Sequence, residues 1–415
     1  MNKSFCVLPW INISVDPDGR VKPCCISTDE IKKEDGTLYN LGYDKISDII
    51  NSKDFQEIRR KMTDGEPVSG CSQCYNNEKY GPTSNRTHHN NSWLAIPEIA
   101  DKVNNHVEII PDTVQYFDLR FGNLCNLKCR SCSPRNSSQL NKELFELQHK
   151  HSNLGNFFMP ENLDDINDWY MTDMFMQNLQ GQAEHIDRIY FTGGEPTLID
   201  KNYEMLDYFI SQDKAKNITL KFNTNMTNIK PKFLETVMKF KKVIFMVSID
   251  GFGEVQEYLR YPSDWGQVSN NLEKIAKLPK DKVSIICAPV VQKTNLSSIV
   301  DLFDYLNNIN IANNRQVIQI QPTILNNPPH LDLLYLPLDY KQKQWEKINT
   351  WIKEKYVFPS QPFISNIKQL ENKCTTDIDY TENLKKFKEF TDIFDNHRSH
   401  YLSKINQELY ELLNK

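Results

Sequence analysis

The sequence predicts an α/β protein in which short strands alternate with helices around a parallel sheet. Six apolar segments rich in β-branched and aromatic residues recur between residues 114 and 322. Stretches of helical character separate them. Polar or glycine-rich motifs follow several of these segments, as in FTGGEP and VSIDG. Because α/β repeats of this kind place functional groups at the carboxyl ends of their strands, these motifs are the first candidates for a site.

The composition is typical of an ordered globular protein. The chain has 415 residues, of which 39% are hydrophobic and 25% charged, and this length suffices for two or three packed units. The formal charge of −5 gives no broad electrostatic footprint for nucleic acid, and no apolar run is long enough to span a bilayer. The N-terminus, MNKSFCVLPWINISV, lacks the pattern of a secretory signal. We therefore expect a cytoplasmic protein without nucleic-acid or membrane partners.

Ten cysteines carry most of the functional information. In a reducing compartment disulfides are rare, so clustered cysteines usually indicate a metal. Cys287 and Cys374 stand alone and are expected to be ordinary buried thiols. The others form an early group of five and a middle group of three: Cys6, Cys24, Cys25, Cys71, Cys74, and Cys125, Cys129, Cys132.

The first element, residues 1–95, is expected to be a small cysteine-rich module. Asp18–Gly19 is a strong turn signal between two alternating segments, so a β-hairpin would carry Cys6 and Cys24 to one end. The CSQC motif at residues 71–74 can close a four-thiol site from a nearby loop. Four thiolates suit an iron–sulfur cluster or zinc.

Two features of this module have more than one interpretation. Cys25 is spare beside Cys24, and it is a packed thiol, an exchangeable ligand or a hydrogen-atom donor, with the packed thiol favoured. The segment RTHHNNSW is polar, and we expect its His88 and His89 to lie in a solvated loop.

The second element, residues 113–322, begins with a strand near VQYFDLRF and a loop that carries C-x3-C-x2-C. Zinc sites favour C-x2-C pairs and a closed set of four ligands. Three thiolates on one tight loop suit a cubane iron–sulfur cluster with one iron left open. The following strands end in GGEP at residues 193–196, TN at residues 224–225 and SIDG at residues 248–251.

These motifs, in this order, resemble the radical S-adenosylmethionine (SAM) superfamily. The resemblance implies a partial (β/α)6 barrel whose three middle cysteines hold a 4Fe-4S cluster, with SAM on the open iron and a 5′-deoxyadenosyl radical as the product of its reductive cleavage. It also implies the SAM-binding residues, which are Gly193, Gly194, Glu195, Asn225, Ser248 and Arg260. One departure is Ser131, since the position before the third cysteine is often aromatic in the superfamily.

The early cysteine group resembles the SPASM and twitch modules of the same superfamily, which hold auxiliary 4Fe-4S clusters. Position 80, where the longer SPASM pattern would continue, is Tyr80, so the resemblance implies a single auxiliary cluster, as in the twitch type. The implied ligands are Cys6, Cys24, Cys71 and Cys74. Zinc is the alternative for these four thiolates.

The third element, residues 323–415, is expected to be helical. NNPPHLDLLYLP is a proline-punctuated connection, and apolar residues recur at helical spacing after it. This stripe consists of Leu384, Phe387, Phe390, Phe394, Tyr401, Ile405, Leu409 and Leu412. We expect one long amphipathic stretch packed against the barrel, with a dimer or partner helix as the second interpretation.

The resemblance implies a radical SAM enzyme that starts radical modification of a substrate. Superfamily members with such modules often act on a peptide or protein, and a flavodoxin- or ferredoxin-type protein would supply the electron. The alternative is a non-enzymatic iron–sulfur or zinc-binding protein with an electron-transfer or structural role on the same fold. An electron carrier needs no SAM pocket, so the GGEP and SIDG motifs favour the enzyme. The substrate and the catalytic residues are left open.

Overall fold

The structure is a computed structural model that describes residues 3–79, 84–158, 166 and 168–414. Tyr80 lies outside the described residues. The chain divides into two compact units. The first comprises Met1–Leu124, Leu163–Asn223 and Lys230–Ile244, and the second comprises Cys125–Asn162, Thr224–Ile229 and Phe245–Lys415.

The strands lie where the sequence predicts them. Those of the first unit are β1 (Asn12–Val15), β2 (Val21–Lys22), β3 (Tyr116–Arg120), β4 (Arg188–Thr192) and β5 (Thr219–Thr224). β6 (Lys242–Val247) begins in the first unit and ends in the second. Those of the second unit are β7 (Val283–Cys287), β8 (Val290–Val291), β9 (Ile318–Ile320) and β10 (Thr323–Ile324). β3 to β7 and β9 coincide with the six predicted apolar segments.

The strand pairing confirms the α/β class with parallel strands. In the first unit the order is β2-β1-β3-β4-β5. Every pair there is parallel except β1 with β2, which form the predicted antiparallel hairpin. In the second unit β7 pairs in parallel with β9, and β8 with β10. The described strands form no closed barrel.

The helices fill the intervals between the strands and most of the C-terminal region. In chain order they are α1 (Leu8–Ile11), α2 (Ile46–Ile50), α3 (Lys53–Asp64), α4 (Ser72–Asn77), α5 (Asn85–Trp93), α6 (Pro97–Asn105), α7 (Ser138–Gln148), α8 (Asp173–Gly181), α9 (Asp200–Ser211), α10 (Pro231–Val237), α11 (Glu254–Leu259), α12 (Trp265–Ala276), α13 (Ile299–Ala312), α14 (Leu338–Glu354), α15 (Gln361–Thr375), α16 (Thr381–Arg398), α17 (Leu402–Ile405) and α18 (Gln407–Leu413). No helix in the described part of the chain is long and apolar enough to cross a membrane.

The N-terminal hairpin continues the sheet of the first unit. Its turn requires glycine, because Gly19 has φ +84° and a Cβ there would lie 2.6 Å from the Trp169 ring. β1 also pairs in parallel with β3, so that Ser14 lies level with Asp118. The hairpin that precedes the barrel strands in sequence is therefore hydrogen-bonded to the first of them.

The sheet of the first unit has one apolar and one polar face, because successive side chains of a strand point to opposite sides. Phe117, Ile189, Leu220 and their neighbours on the apolar face are buried. The opposite side, which we call the polar face, consists of Asn12, Ser14, Tyr116, Asp118, Arg120, Arg188, Tyr190, Lys221 and Asn223.

The prediction that His88 and His89 lie in a solvated loop is wrong, because this segment forms helix α5. Ser84 and Thr87 form a capping box that satisfies the first N–H groups of the helix. His89 is buried, and its Nδ1 accepts a hydrogen bond from the Trp93 indole N–H at 3.2 Å. The polar composition of the segment concealed both the cap and the buried ring.

The C-terminal region is helical, as predicted, but the apolar stripe is divided among α16, α17 and α18. Ser399, in the left-handed region at φ +51°, ends α16. Phe387, Phe390 and Phe394 of the stripe are buried before this break, whereas Tyr401 after it is 39% exposed. The predicted single amphipathic stretch is therefore wrong in its continuity and right in its helical character.

Candidate metal centres

The three middle cysteines lie together on the loop at residues 125–132, which we call the cluster loop. Cys125 and Cys129 are each 8% exposed and pack with Leu127, and Cys132 packs against them. Burial, followed by the nearby Cys129 and Cys125 thiols, raises the pKa of Cys132. All ten cysteines are free thiols. The three thiols are therefore neighbours and are available as metal ligands.

Backbone hydrogen bonds fix the cluster loop against the chain that follows α11. The Lys128 N–H donates to the Tyr261 carbonyl at 2.6 Å, and the Arg130 N–H donates to the Leu259 carbonyl at 2.9 Å. On the other side the Ser137 hydroxyl donates to the Leu127 carbonyl at 2.6 Å. The loop thus holds its shape through bonds that involve none of its thiols.

Arg260 lies in the sequence between Leu259 and Tyr261, whose carbonyl groups bind the loop, and its side chain reaches the cysteines. Its Nη1 is 3.8 Å from Cys129 Sγ, and its Nε is 2.7 Å from Asp250 Oδ2. Burial alone would lower the pKa of Arg260. The charges of Asp250 and Cys129 outweigh this effect and raise the pKa above its ordinary value, so the guanidinium stays charged. A buried cation at this distance favours the thiolate form of Cys129.

We expect Arg260→Gln to weaken SAM binding while the iron content stays unchanged. A charge-assisted hydrogen bond to a carboxylate contributes about 1.5–3 kcal/mol, and glutamine retains a donor for Asp250. Titration of SAM into the reconstituted protein measures the effect, with Arg315→Gln at the end of α13 as the matched control. Equal affinity of the two variants for SAM would show that Arg260 pairs with Asp250 and does not contribute to SAM binding.

The GGEP motif forms a tight turn at the end of β4. Gly193 and Gly194 have φ +73° and +43°, and a Cβ on Gly194 would lie 2.2 Å from the Leu124 carbonyl oxygen. The Glu195 N–H donates to the same oxygen at 2.8 Å. Leu124 directly precedes Cys125 in the chain. Only glycine permits this approach, so the turn fixes the backbone from which the cluster loop departs.

Two of the side chains predicted to bind SAM, Glu195 and Asn225, have hydrogen-bond partners in the protein. One carboxylate oxygen of Glu195 accepts from the Thr197 N–H at 3.2 Å and from its hydroxyl at 2.7 Å. In the second unit, Asn225 Nδ2 donates to Asn126 Oδ1 at 2.9 Å, and Asn126 belongs to the cluster loop. Ser248 is half-buried at the end of β6. Asn225 therefore supports the loop directly, and Asn126 is a contributor that sequence reasoning missed.

Four of the early thiols form a second group, in the first unit. Cys6 and Cys74 are buried, and Cys24 and Cys71 are half-buried. Burial raises the pKa of the Cys6 thiol most, and the Cys24, Cys71 and Cys74 thiols raise it further. The predicted hairpin and the CSQC motif therefore bring these four side chains close to one another.

Cys25 faces the polar face. Burial raises the pKa of its thiol most, followed by the Asp118 carboxylate and Cys24, whereas Arg120 and Lys221 lower it. Cys24 differs in degree: burial raises the pKa of its thiol most, and the Cys74 thiol raises it more than Asp118 does.

Helix α5 fixes the backbone on both sides of Cys6. Arg86 Nη1 donates to the Phe5 carbonyl at 2.7 Å, and Asn90 Oδ1 accepts from the Val7 N–H at 2.8 Å. The Arg86 charge also lowers the pKa values of the Cys71 and Cys74 thiols, against the larger effect of burial. Each thiol group therefore has a cation beside it.

The chemistry of both donor sets fits iron–sulfur clusters, whose protein ligands are thiolates. Each set consists of free, largely buried thiols, with Arg260 or Arg86 next to it. The fit rests on this chemistry alone, because within the described residues no three His, Cys, Asp or Glu side chains, those of the two thiol groups included, are arranged to hold a metal ion.

A buried charged network behind the cluster loop escaped the sequence reasoning. Arg130 lies between the second and third cysteines of the loop, and its Nη2 donates to Asp395 Oδ1 at 2.6 Å. The Tyr258 hydroxyl donates to the same oxygen at 2.7 Å, and its ring centroid lies 3.8 Å from the guanidinium carbon of Arg130. Asp395 Oδ2 accepts from the Leu402 N–H at 2.6 Å. We call these groups the Arg130 network.

A second buried ion pair reinforces this arrangement. Glu143 on α7 accepts from Arg398 Nε at 3.0 Å, and Lys128 Nζ lies 3.6 Å from the same carboxylate oxygen. Helix α16 thus contributes one residue to each network. The C-terminal helices, for which the sequence suggests no role, support the cluster loop.

Comparison with known families agrees with both thiol groups. Residues 119–306 match the radical SAM superfamily, and residues 6–75 match the SPASM family, described as an iron–sulfur cluster-binding domain. No curated protein matches the chain.

The chain also has distant likenesses among solved structures. Native anSMEcpe with bound AdoMet and Cp18Cys peptide is 18% identical, with a TM-score of 0.35 over 58% of this chain and 60% of that chain. Streptococcus suis SuiB is 12% identical, with a TM-score of 0.36 over 91% of this chain and 77% of that chain. The same protein bound to precursor peptide SuiA gives 12% identity and a TM-score of 0.34, over 82% and 70% of the two chains. The chain spans about three fifths of the length of anSMEcpe.

Proposed function

Because the chain is a radical SAM protein with an N-terminal SPASM iron–sulfur domain, we propose that it is an enzyme that cleaves SAM reductively and starts radical modification of a substrate. The observation that carries this proposal is the grouping of the three thiols of the cluster loop, two buried and one half-buried, beside the charged Arg260. A bound 4Fe-4S cluster and SAM supply the radical chemistry, while the protein supplies binding, orientation and electrostatics.

Different residues of this chain hold the cluster, supply positive charge and shape the backbone. The three cysteines of the cluster loop hold the cluster, and Arg260 keeps positive charge at Cys129. Gly194 leaves the backbone of the GGEP turn open, because a side chain there would collide with Leu124. Ser248 and Asn225 lie near one another in the chain fold, since the Ser248 N–H donates to the Thr224 carbonyl at 2.9 Å. This pair is proposed to face the ribose.

The substrate is proposed to be a peptide or protein. The SPASM domain supports this class, because superfamily members that carry one often modify peptides or proteins. A flavodoxin- or ferredoxin-type protein is the proposed electron donor. We further propose three functional segments, with the auxiliary module at residues 1–95, the SAM-cleaving core at residues 113–322 and the helical support at residues 323–415.

Formation of 5′-deoxyadenosine tests the proposed reaction. The protein is reconstituted anaerobically with iron and sulfide and then incubated with dithionite and SAM. We expect 5′-deoxyadenosine well above the level given by a Cys125→Ala control. Iron uptake without 5′-deoxyadenosine would support the electron-transfer or structural alternative.

The second thiol group is expected to be dispensable for SAM cleavage. The double variant Cys71→Ala/Cys74→Ala removes half of its ligands, yet the cluster loop lies in the other unit. We expect about four irons per chain instead of about eight, by ligand count, with 5′-deoxyadenosine formation retained. Iron analysis and the cleavage assay measure both outcomes.

The matched control for that variant is Cys25→Ala. It removes a thiol of the same module that faces Asp118, so the full iron content should remain. Circular dichroism confirms folding first, because a small metal-binding module can depend on its metal for structure. Loss of 5′-deoxyadenosine from the folded double variant would show that the auxiliary site takes part in SAM cleavage.

A further inference from the structure

The polar face carries charged and polar side chains in register across four strands. Ser14 on β1 pairs with Asp118 on β3, Asp118 pairs with Tyr190 on β4, and Tyr190 pairs with Lys221 on β5. Since paired residues of neighbouring parallel strands point to the same side, these four side chains form one row. Arg188 belongs to the adjacent row, level with Tyr116.

Several buried polar atoms of this face have no hydrogen-bond partner within the described residues. They are Asn12 Oδ1, Arg188 Nε and Asn223 Oδ1. Asp118 is only 1% exposed, and its carboxylate has hydrogen bonds from the Cys25 thiol and the Ser14 hydroxyl. Buried polar groups in proteins are nearly always hydrogen-bonded, so three such atoms on one face of one sheet indicate that another molecule supplies their partners.

The face also has more positive than negative charge. Arg120 Nη2 lies 3.9 Å from Asp118 Oδ1, and its Nη1 lies 3.7 Å from Asp16 Oδ1, so Arg120 has carboxylates nearby. The guanidinium carbon of Arg188 lies 4.8 Å from the Trp93 ring centroid. Lys221 Nζ lies 4.4 Å from the Tyr190 ring centroid. Both cations are half-buried and contact aromatic rings, and no carboxylate oxygen of the described chain lies within 4.0 Å of either. Burial lowers the pKa of Lys221 most, and the charges of Cys25 and Asp118 raise it.

The neighbouring histidines respond to this excess of charge. Burial lowers the pKa of His88 most, followed by Lys221 and Arg188. His89 shows the same direction, with burial first and the charges of His88, Arg188 and Lys221 after it. An anion bound beside the two cations would offset the part of the lowering that Lys221 and Arg188 cause, and would leave the larger part that burial causes.

We propose that the polar face binds a carboxylate of the substrate at Arg188 and Lys221. An acidic peptide carries such a group, either as an acidic side chain or as its C-terminal carboxylate. Two half-buried cations without a carboxylate oxygen in salt-bridge contact match this group, and Arg188 Nε is a buried donor without a hydrogen-bond partner among the described residues. The assignment to the substrate rests on the proposed function, whereas carboxylate binding itself does not require SAM cleavage.

Calorimetric titration of the full-length reconstituted protein, without SAM or reductant, tests the proposal with three small probes. N-acetyl-glutamate α-amide presents a side-chain carboxylate, N-acetyl-alanine presents an α-carboxylate, and N-acetyl-glutamine α-amide is neutral. We expect one or both acids to bind and the neutral probe to bind at least tenfold more weakly. The stronger acid identifies the source of the carboxylate. Equal binding of all three, or no binding by either acid, would overturn the proposal.

Variants of the two cations complete the test. Lys221→Met and Arg188→Met are each expected to weaken binding of the preferred acid at least tenfold, whereas Lys221→Arg retains it. Lys216→Met is the matched control, because this exposed lysine pairs only with Asp213 among the described residues. Full binding by a Met variant would overturn the assignment, and if a Met variant fails to fold, the probe comparison on the unmodified protein decides. A protein that binds the acid but makes no 5′-deoxyadenosine would refute the proposed function and leave the carboxylate site intact.

Discussion

Replacement of Cys125, Cys129 and Cys132 together with alanine is expected to abolish SAM cleavage and to halve the iron content. The two thiol groups belong to different units, so the loss of one leaves the ligands of the other in place. By ligand count the anaerobic protein should carry about eight irons per chain and the triple variant about four. Iron and sulfide analysis, with the 5′-deoxyadenosine assay, measures both effects.

The control for this variant is Cys374→Ala. Cys374 is a buried thiol outside both groups, so its removal should leave iron content and SAM cleavage unchanged. An iron content of zero in the triple variant would contradict the presence of a second cluster. Zinc in place of the remaining iron would assign the early thiols to the alternative that their four-cysteine pattern allows.

Asp395→Ala is expected to cost about 3–5 kcal/mol of unfolding free energy, the range measured when one partner of a buried ion pair is removed. The change removes an acceptor from three donors, which are Arg130 Nη2, the Tyr258 hydroxyl and the Leu402 N–H. Arg130 Nη2 keeps only the His400 carbonyl at 3.5 Å. Because Arg130 lies inside the cluster loop, the folded variant should also retain less iron. Denaturant unfolding and iron analysis measure the two losses.

Asp392→Ala on the same helix is the matched control. Asp392 forms an exposed pair with Lys388 at 3.4 Å, and such pairs contribute only about 0–1 kcal/mol. The double variant Arg130→Met/Asp395→Leu should be more stable than Asp395→Ala, since it removes the buried charge together with its partner. Equal destabilisation by Asp392→Ala and Asp395→Ala would show that the Arg130 network does not hold the loop.

Local patterns explain why so much of the fold is predictable. Apolar strand segments and the Asp18–Gly19 turn each depend on a few neighbouring residues, and the structure confirms them. The cysteine spacing likewise identifies the two thiol groups. The Arg130–Asp395 pair has no such signal, because its members lie 265 residues apart and Asp395 resembles an ordinary charged helix residue in sequence.

The remaining errors of the sequence reasoning also have physical causes. Helix α5 was missed because its composition is polar, while its stability depends on a capping box and on the burial of His89. Spacing alone does not distinguish Cys24 from Cys25, because the two residues are adjacent in sequence. Their neighbours differ: after burial, Cys24 is the largest influence that raises the pKa of Cys6, and Asp118 is the largest that raises the pKa of Cys25.

The parallel pairing of β1 with β3 has a consequence for synthesis on the ribosome. Asn12 pairs with Tyr116, so the edge of β1 that pairs with β3 stays unpaired until about a hundred further residues have emerged. At roughly 5–20 residues per second this delay lasts on the order of 5–20 s. During that time the nascent chain exposes a strand edge together with several unligated thiols. The yield of functional protein in the cell would therefore depend on two conditions. Chaperones would have to protect this intermediate, and iron would have to arrive only after β3 has joined the sheet.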